Sequence, residues 1–269
     1  MHRFHVPQVA AEDWLELPRA EAHHACKVLR LRAGERVMVL DGAGLELGCQ
    51  VEEVRGGRVG LRVRQRLHHP RPKHEITLIQ AVLKGRAMEW LVQKATELGV
   101  ARIVPITSER TVSQLDSGGA VGRREKWRAI AVEGIKQCGS VWLPEIALPV
   151  TVSEYLEQRE RSELVLVASL QPDARHPRRC LESFVSARGR FPGSVSVWIG
   201  PEGDFTRAEL GRIVETGAWP VTLGRPVLRS ETAALYLMSV LQYELGSGTE
   251  EPAVGRADPE ARGIRGMGI

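Results

Sequence analysis

The segment VSVWIGPEGDF, residues 195–205, places a nearly continuous apolar run directly before a loop that contains two glycines and a proline. Such a run is typical of a strand that is buried on both faces of a parallel sheet. Small residues after the strand let a ligand approach the main chain closely. The segment therefore predicts a buried strand that ends in a ligand-binding loop.

Two neighbouring segments repeat this arrangement. The apolar run LVLVASL, residues 164–170, leads into SLQPD at residues 169–173, and a short strand near residues 221–223 leads into LGRPVLRSET at residues 223–232. Alternation of strands with helices predicts an α/β domain with a mainly parallel sheet, whose ligand lies at the carboxyl ends of the strands. The predicted strands are at residues 76–83, 102–107, 164–170, 195–200 and 221–223, and the predicted helices at residues 87–98, 123–138, 206–216 and 230–245.

Each of the three loops alone is more often a simple turn than a site. Together they contain no lysine and few donors for a polyphosphate. A ligand with an apolar heterocycle, held by backbone N–H and C=O groups, suits them better than a triphosphate. The sequence has no Walker A motif and no histidine or carboxylate cluster at metal-binding spacing. The segment VLDGAGLELG, residues 39–48, resembles the glycine loop of a class I methyltransferase, but the alternating residues after it predict a hairpin turn.

The first seventy residues predict a small β-rich unit. A helix is expected at residues 20–30, with strands at residues 36–41, 47–54 and 59–66. Seven lysines and arginines, and no acidic residue, lie between residues 54 and 74. This charge attracts phosphates or simply forms the solvated face of a strand, and both interpretations stay open on charge alone. We divide the chain into a β-rich unit at residues 1–70, a linker at 71–75, an α/β unit at 76–246 and a disordered tail at 247–269.

The composition limits the class of protein. Of 269 residues, 43% are hydrophobic and 26% are charged, which is typical of a globular protein. No apolar stretch reaches the roughly 18 residues that a membrane span needs, so we expect a soluble protein. The first residues lack the apolar core of a signal peptide, which argues against export. Four widely separated cysteines favour neither a zinc site nor a disulfide framework and predict a cytoplasmic location.

Four separated blocks carry a resemblance to a known family. They are HACKVLRLRAGE at residues 24–35, KGRAMEWLVQKATELGVARIVPITSERTV at 84–112, IGPEGDF at 199–205 and LGRPVLRSETA at 223–233. In this order they resemble the RsmE family, the 16S ribosomal-RNA (uracil-N3)-methyltransferases of the SPOUT, or trefoil-knot, class. The resemblance implies a knotted, mainly parallel sheet with helices on both faces, preceded by a PUA-like barrel. It also implies S-adenosylmethionine as cofactor, no metal, and 16S ribosomal RNA of the small subunit as partner.

The resemblance assigns the three loops to cofactor binding. Leu170, Ile199, Leu223 and Leu228 are expected as walls of an adenine slot, and Gly200, Gly203 and Gly224 as positions of close backbone approach. Pro201, Val227 and Thr232 complete the expected set.

Two residues are catalytic candidates. Arg229 is expected to stabilise charge on the reacting base, and Glu202 to orient the cofactor, the partner loop or Arg229. The alternatives are a salt bridge from Arg229 to Glu231 or Glu202, and a role for Glu202 as an anion at a helix N-terminus.

Partners follow from the same resemblance. Phosphate contacts that set the position of the RNA are expected from Lys27, Arg30, Arg32, Arg62 and Arg64. The last helix is apolar nearly all round, which predicts burial on more than one side. A monomer core could provide this burial, but the resemblance favours a homodimer through this C-terminal helix. Alternative functions are a SPOUT ribose 2′-O-methyltransferase and a non-catalytic RNA-binding assembly factor.

The sequence departs from the family pattern at two places. The family usually reads GPEGGF where this chain has Asp204 in place of the second glycine of the pair. Its middle helix usually reads like EAxEQSxR, whereas residues 133–142 read EGIKQCGSVW, with Ser140 near the position of the missing arginine. A neighbouring arginine must then take over any contact with RNA, or the RNA is held differently. The candidates are Arg123, Arg124 and Arg128.

Overall fold

The computed structural model describes residues 1–111, 117–158, 160 and 162–246, with nothing said of the side chains of residues 117 and 118. The predicted disordered tail at residues 247–269 lies outside the described residues. The described chain contains two sheets, one in each predicted unit. No helix within these ranges is both long enough and apolar enough to cross a membrane.

The N-terminal unit is built on a five-stranded sheet. Its strand order is β1-β3-β4-β5-β2, in which β1 lies parallel to β3 and the other neighbours are antiparallel. Strand β5 alternates as predicted, since Val59, Leu61 and Val63 are buried and Arg64 is exposed. The elements are β1 (His2–His5), β2 (Trp14–Glu16), α1 (Arg19–His23), a π-helical turn (His24–Leu29), β3 (Arg36–Leu40), β4 (Leu45–Arg55) and β5 (Arg58–His68).

The glycine-containing segment at residues 39–48 is a hairpin, as predicted. Strands β3 and β4 pair across it, and the Asp41 carboxylate accepts hydrogen bonds from the backbone N–H groups of Ala43 and Leu45. No helix follows this loop, so it is not the glycine loop of a class I methyltransferase.

The second unit is a parallel seven-stranded sheet with helices on both faces. Its order is β12-β10-β11-β6-β7-β8, and β9 also pairs with β7. The strands are β6 (Glu75–Ala81), β7 (Arg102–Thr107), β8 (Glu145–Ile146), β9 (Val150–Thr151), β10 (Leu164–Ala168), β11 (Ser194–Ile199) and β12 (Trp219–Val221). The helices are α2 (Arg86–Glu97), α3 (Ser117–Cys138), α4 (Val152–Glu157), α5 (Pro177–Arg188), α6 (Arg207–Glu215) and α7 (Ser230–Gly246).

Burial of both sheet faces explains the continuous apolar runs. On β11, Val197 and Ile199 belong to one core cluster, which includes residues of α2, α3, α5 and α7. Trp198, between them, belongs to a second cluster with residues of α4 and α6. Because successive side chains of a strand point to opposite faces, a strand covered on both sides favours apolar residues at nearly every position.

The predicted mainly parallel α/β architecture is confirmed, with four elements missed. The missed elements are β8, β9, α4 and α5. Helix α3 begins at Ser117 and not at residue 123 as predicted. The sequence TRAE at residues 206–209 is a capping-box pattern, and the box is present at the start of α6, because Thr206 and Glu209 each accept the backbone N–H of the other.

A contact that we call the hairpin junction joins the two units. It consists of residues 42–44, at the tip of the β3–β4 hairpin, and residues 141–143, after α3. The Gly44 N–H donates to Val141 O at 3.0 Å, and the Leu143 N–H donates to Gly42 O at 2.9 Å. Gly44 has φ +101°, and a Cβ placed on it would lie 2.5 Å from the Trp142 ring. The junction therefore requires glycine at this position.

Side chains from the first unit also hold the C-terminal end of α3. Arg3 donates to the carbonyl oxygens of Lys136 and Gln137, and Lys136 forms a largely buried ion pair with Glu21 at 3.0 Å. Ser140, near the position of the missing family arginine, donates to Trp142 O within the junction. This part of the sequence thus serves contact between the units.

Candidate functional site

The three loops that the sequence singles out line one cleft at the carboxyl ends of β10, β11 and β12. The cleft is open to solvent and holds an inner space of about 80 Å³. It is lined by residues 168–170, 199–202, 204, 223, 224, 226–228, 230 and 233. The predicted loops therefore meet in space, as expected for the ligand-binding edge of a parallel sheet.

The walls of the cleft are apolar and unusually exposed. Leu170 and Val227 have 63% and 75% of their surface accessible, whereas Ile199 forms a buried part of the lining. An apolar ligand would remove the exposed area from water. The lining contains no lysine or arginine, and it includes the carboxylates of Glu202 and Asp204. This composition disfavours a polyphosphate and favours a ligand with an apolar ring.

The loop after β11 is tightly closed on itself. Asp204 has φ +59°, its N–H donates to Pro201 O at 2.9 Å, and its Oδ1 accepts the Phe205 N–H at 2.8 Å. A Cβ on Gly200 would lie 3.0 Å from that Oδ1. Aspartate is one of the few residues other than glycine that tolerate a left-handed backbone, which accounts for its presence where the family has glycine.

Buried hydrogen bonds connect the loops to one another. The Ser230 hydroxyl donates to Gly200 O at 2.5 Å, and Gln80 Nε2 donates to Ser230 Oγ at 2.9 Å. The Ser169 N–H donates to Val221 O at 2.9 Å. Neither Gln80 nor Ser230 is among the site residues predicted from the sequence. The signal for Gln80 is its amide, the one amide in the largely apolar strand ITLIQAVL.

The catalytic candidates lie at the rim of the cleft. Arg229 is exposed between Leu228 and Ser230, which both line the cleft. Among the described residues no carboxylate forms an ion pair with Arg229, so the alternative of a salt bridge to Glu231 or Glu202 does not hold. Its guanidinium is free to meet a ligand.

Glu202 is exposed and lines the cleft, and it does not cap a helix. The N-terminus of α6 is already capped by the reciprocal bonds of Thr206 and Glu209. The alternative role of Glu202 as a helix-terminal anion is therefore not supported by the structure.

Two predicted cofactor residues do not line the cleft. Gly203 points its carbonyl oxygen away to accept a hydrogen bond from Arg110 at 2.7 Å. Thr232 lies on another side of α7, in a groove that it shares with Trp90 and Tyr236. The other eight predicted cofactor residues line the cleft: Leu170, Ile199, Gly200, Pro201, Leu223, Gly224, Val227 and Leu228.

The five predicted RNA-binding residues fall into two groups. Arg62 is ion-paired with Glu52 at 3.0 Å, and Arg64 donates to the Gln50 side chain at 2.9 Å. Lys27, Arg30 and Arg32 are exposed, and within the described residues their side chains have no hydrogen-bonding or ion-pair partner. The second group therefore offers free positive charge to an anion.

No metal ion site or reactive thiol stands out near the cleft. The described residues contain no group of three metal-binding side chains. Burial raises the pKa of the Cys49 thiol to about 11 and also raises the pKa of Cys180, so both thiols stay protonated at neutral pH.

Comparison with known proteins identifies the family. Residues 69–242, more than half of the chain, match the family described as an RNA methyltransferase domain, and residues 17–63 match an RNA methyltransferase PUA domain. The chain is 30% identical over 214 residues to ribosomal RNA small subunit methyltransferase E of Mycobacterium bovis, with 80% of each chain covered. The chain belongs to the ribosomal RNA small subunit methyltransferase E family. The family member of Bacillus subtilis is 28% identical over 238 residues, which is 88% of this chain and 93% of the relative.

A solved structure of the same family agrees with the fold. The Neisseria gonorrhoeae methyltransferase E, crystallised bound to S-adenosyl methionine, is 27% identical and superposes with a TM-score of 0.80 over 93% of this chain and 100% of that chain. The family assignment implied by the four sequence blocks is thereby confirmed. The two matched domains, residues 17–63 and 69–242, together include the cleft and the hairpin junction.

Proposed function

We propose that this protein is an S-adenosylmethionine-dependent methyltransferase that methylates N3 of a uridine in 16S ribosomal RNA of the small ribosomal subunit. The observation that carries the proposal is the apolar cleft formed by the main chain of three loops, in a chain that belongs to the methyltransferase E family. The gonococcal relative, which is bound to S-adenosyl methionine, supports the choice of cofactor.

The cleft residues fit this cofactor. Leu170, Leu223 and Leu228 present apolar surface to an adenine ring, and Ile199 closes the slot from below. Gly224 has φ +111°, and a Cβ placed on it would meet only Pro226 within 4 Å, so the backbone here is open to close approach. Pro201 and Val227 complete the walls. The scarcity of charge suits a nucleoside with a single sulfonium centre.

The bound cofactor supplies a methyl group on a positively charged sulfur. The residues of the chain then have to prepare the acceptor base. The uracil imide nitrogen becomes nucleophilic when it gives up its proton to solvent, and negative charge spreads onto the neighbouring oxygens. The bond from N3 to the methyl group would form as the bond from sulfur to the methyl group breaks, which would leave S-adenosylhomocysteine as the second product. Arg229, which has no ion-pair partner among the described residues, stabilises this negative charge from the rim of the cleft. Glu202, on the facing loop, orients Arg229 or the cofactor. When the uracil is flipped out of its base pair, it comes within reach of Arg229 and Glu202.

The N-terminal unit positions the RNA in this proposal. Lys27, Arg30 and Arg32 contact phosphates, which sets the position of the RNA without selecting a base. Arg62 and Arg64 contribute less, because their charges are already engaged by Glu52 and Gln50.

We further propose a homodimer through α7. The groove on this helix contains Trp90, Tyr236 and Tyr243, whose exposed fractions are 45%, 42% and 72%. A second copy would cover these aromatic side chains. The family resemblance also implies that the last loop and α7 thread through an earlier loop to form the trefoil knot. The bond between Ser230 and Gly200, which holds the start of α7 against the loop after β11, supports this path. Free cysteines support a cytoplasmic location.

Methyl transfer from labelled cofactor to small ribosomal subunits that lack the modification tests the proposal. We expect one labelled uridine, with mass spectrometry placing the methyl group on N3. A methyl group on a ribose 2′ oxygen would replace the proposal with the ribose methyltransferase. Absence of cofactor binding in calorimetry would favour a non-catalytic assembly factor.

A further inference from the structure

A hydrogen-bonded relay links three chain segments behind the cleft. Gln80 stands near the end of β6, Ser230 begins α7, and Gly200 opens the loop after β11. Gln80 Nε2 donates to Ser230 Oγ at 2.9 Å, and Ser230 Oγ donates to Gly200 O at 2.5 Å. Ser230 and Gly200 line the cleft, whereas Gln80 does not. The relay therefore acts on the cleft from behind its wall.

The direction of the relay is fixed by a fourth group. Gln80 Nε2 also donates to Ala81 O at 2.9 Å. A flipped amide would put its oxygen against that carbonyl oxygen, which is repulsive, so the nitrogen must face both partners. Ser230 Oγ then accepts from Gln80, and its single proton is left for Gly200 O. The amide thus determines where the serine hydroxyl points.

The amide of Gln80 is a poor choice for packing alone. Gln80 is fully buried, and its Oε1 has no hydrogen-bond partner among the described residues. A buried acceptor without a partner destabilises the folded state, so an apolar side chain of the same length would avoid this penalty. The benefit of glutamine here lies in its two N–H donors.

We infer that Gln80 is a positioning residue for the cofactor, acting through Ser230 to hold the Gly200 carbonyl and with it two walls of the cleft. The walls are the loop after β11 and the loop before α7, which the relay joins at one corner. The inference rests on the proposed function, because it takes S-adenosylmethionine as the ligand. Without the relay, the Gly200 carbonyl turns away from α7 and the slot loses its fixed width.

Calorimetric titration of S-adenosylmethionine into the full chain tests the inference. We expect Gln80→Met and Ser230→Ala each to raise Kd about tenfold. The Kd of the double variant should be no higher than that of the single variant that binds more weakly, because both changes break the same relay. The melting temperature of Gln80→Met should stay close to that of the unmodified protein, because the methionine also removes the unpaired oxygen.

Gln242→Met is the matched control. Its Nε2 donates to Leu98 O at 2.8 Å, which ties the far end of α7 to the end of α2, away from the cleft. This variant should lose stability and keep its Kd. An unchanged Kd in folded Gln80→Met, additive effects in the double variant, or an equal rise in Kd for Gln242→Met would each overturn the inference.

Ser230→Thr keeps the inference testable if Gln80→Met does not fold. Threonine retains the hydroxyl, so its Kd should stay within about threefold of the original while that of Ser230→Ala rises. Equal weakening in both would overturn the relay. Failure of the unmodified protein to bind the cofactor is a separate outcome, which refutes the proposed function itself and the inference with it.

Discussion

Asp204 occupies a backbone conformation that is usually left to glycine. Its φ of +59° is stabilised by the bond from the Phe205 N–H to its own carboxylate, and this bond places the carboxylate next to Gly200. Aspartate therefore closes the loop that a glycine would leave freer. Aspartate in place of the family's glycine therefore forms the same turn with a different residue.

We predict that Asp204→Val destabilises the protein by about 1–3 kcal/mol, because a β-branched residue is strained at positive φ. Asp204→Gly should stay within about 1 kcal/mol of the original, since glycine relieves strain while one hydrogen bond is lost. Urea denaturation of both variants measures the difference. Equal stability of the two would contradict the strain argument.

Arg229 is the residue on which the proposed chemistry depends most. We expect Arg229→Ala to lower kcat by about 100-fold, as for loss of one charge-stabilising group, with the Kd for S-adenosylmethionine within about threefold. Arg225→Ala is the control, because it removes an equally exposed charge from the same loop at a position to which no catalytic role is assigned. A rate that is unchanged in Arg229→Ala removes this residue from the mechanism.

The cleft walls could be predicted from sequence, and the relay behind them could not. Leu170, Ile199 and Leu223 each stand where an apolar strand meets small residues, which is a local pattern. The pairing of Gln80 with Ser230 joins positions 150 residues apart, and no local pattern records it. Thr232 lies in the groove on α7 and not in the predicted cleft, because successive residues of one helical turn face both surfaces.

At the scale of elements, the hairpin junction depends on glycine for two separable reasons. Gly44 has positive φ and lies against the Trp142 ring, whereas Gly57 has φ +80° with nothing within 4 Å of an added Cβ. Both positions favour glycine because φ is positive, but only Gly44 also lacks room for a side chain.

Gly57→Ala should therefore lower the free energy of unfolding by about 1–2 kcal/mol through backbone strain. Gly44→Ala should cost about 2 kcal/mol more, because the methyl group collides with tryptophan in the contact between units. Thermal unfolding of both variants measures the difference. If both variants lose the same stability, the junction does not require close approach.

Helices and strands could be predicted from the sequence where the spacing of apolar residues matches the buried face of the element. Strand β7 and the cap of α6 follow directly from the sequence. Helix α5 was missed although Pro177 at its first turn and Gly189 after its last one are typical helix boundaries. Strands β8 and β9 have two residues each, too few to show a period.

At the scale of the whole molecule, the first unit offers a group of three exposed cationic side chains, those of Lys27, Arg30 and Arg32. In the triple variant, Lys27, Arg30 and Arg32 are all changed to alanine. We expect it to bind RNA of any sequence more weakly. The slope of log K against log salt concentration should become shallower by about 2. The double variant Arg62→Ala with Arg64→Ala should change the slope less, because these charges are paired or hydrogen-bonded already. Filter binding at several salt concentrations distinguishes the two. A larger effect of the double variant would reverse the assignment.

The groove on α7 gives a prediction about assembly. Sedimentation should give a mass of about 59 kDa, twice the 29.7 kDa of one chain. Tyr236→Glu with Tyr243→Glu should yield the monomer mass, because charges in an apolar interface are desolvated without a partner. Val214→Glu, on the exposed side of α6, should leave the mass unchanged. A monomer mass for the unmodified protein at micromolar concentration would refute the dimer.

The order of strands has a consequence for biosynthesis. Strand β6 is made first in its sheet, yet its partner β11 ends at Ile199, more than a hundred residues later. At about 5–20 residues per second, translation leaves the backbone N–H and C=O groups on one edge of β6 unpaired for on the order of 10 s, while β7 pairs with the other edge. A nascent chain in this condition is open to wrong association, so occupancy by a chaperone at the ribosomal exit tunnel should peak before the codons of β11 are translated.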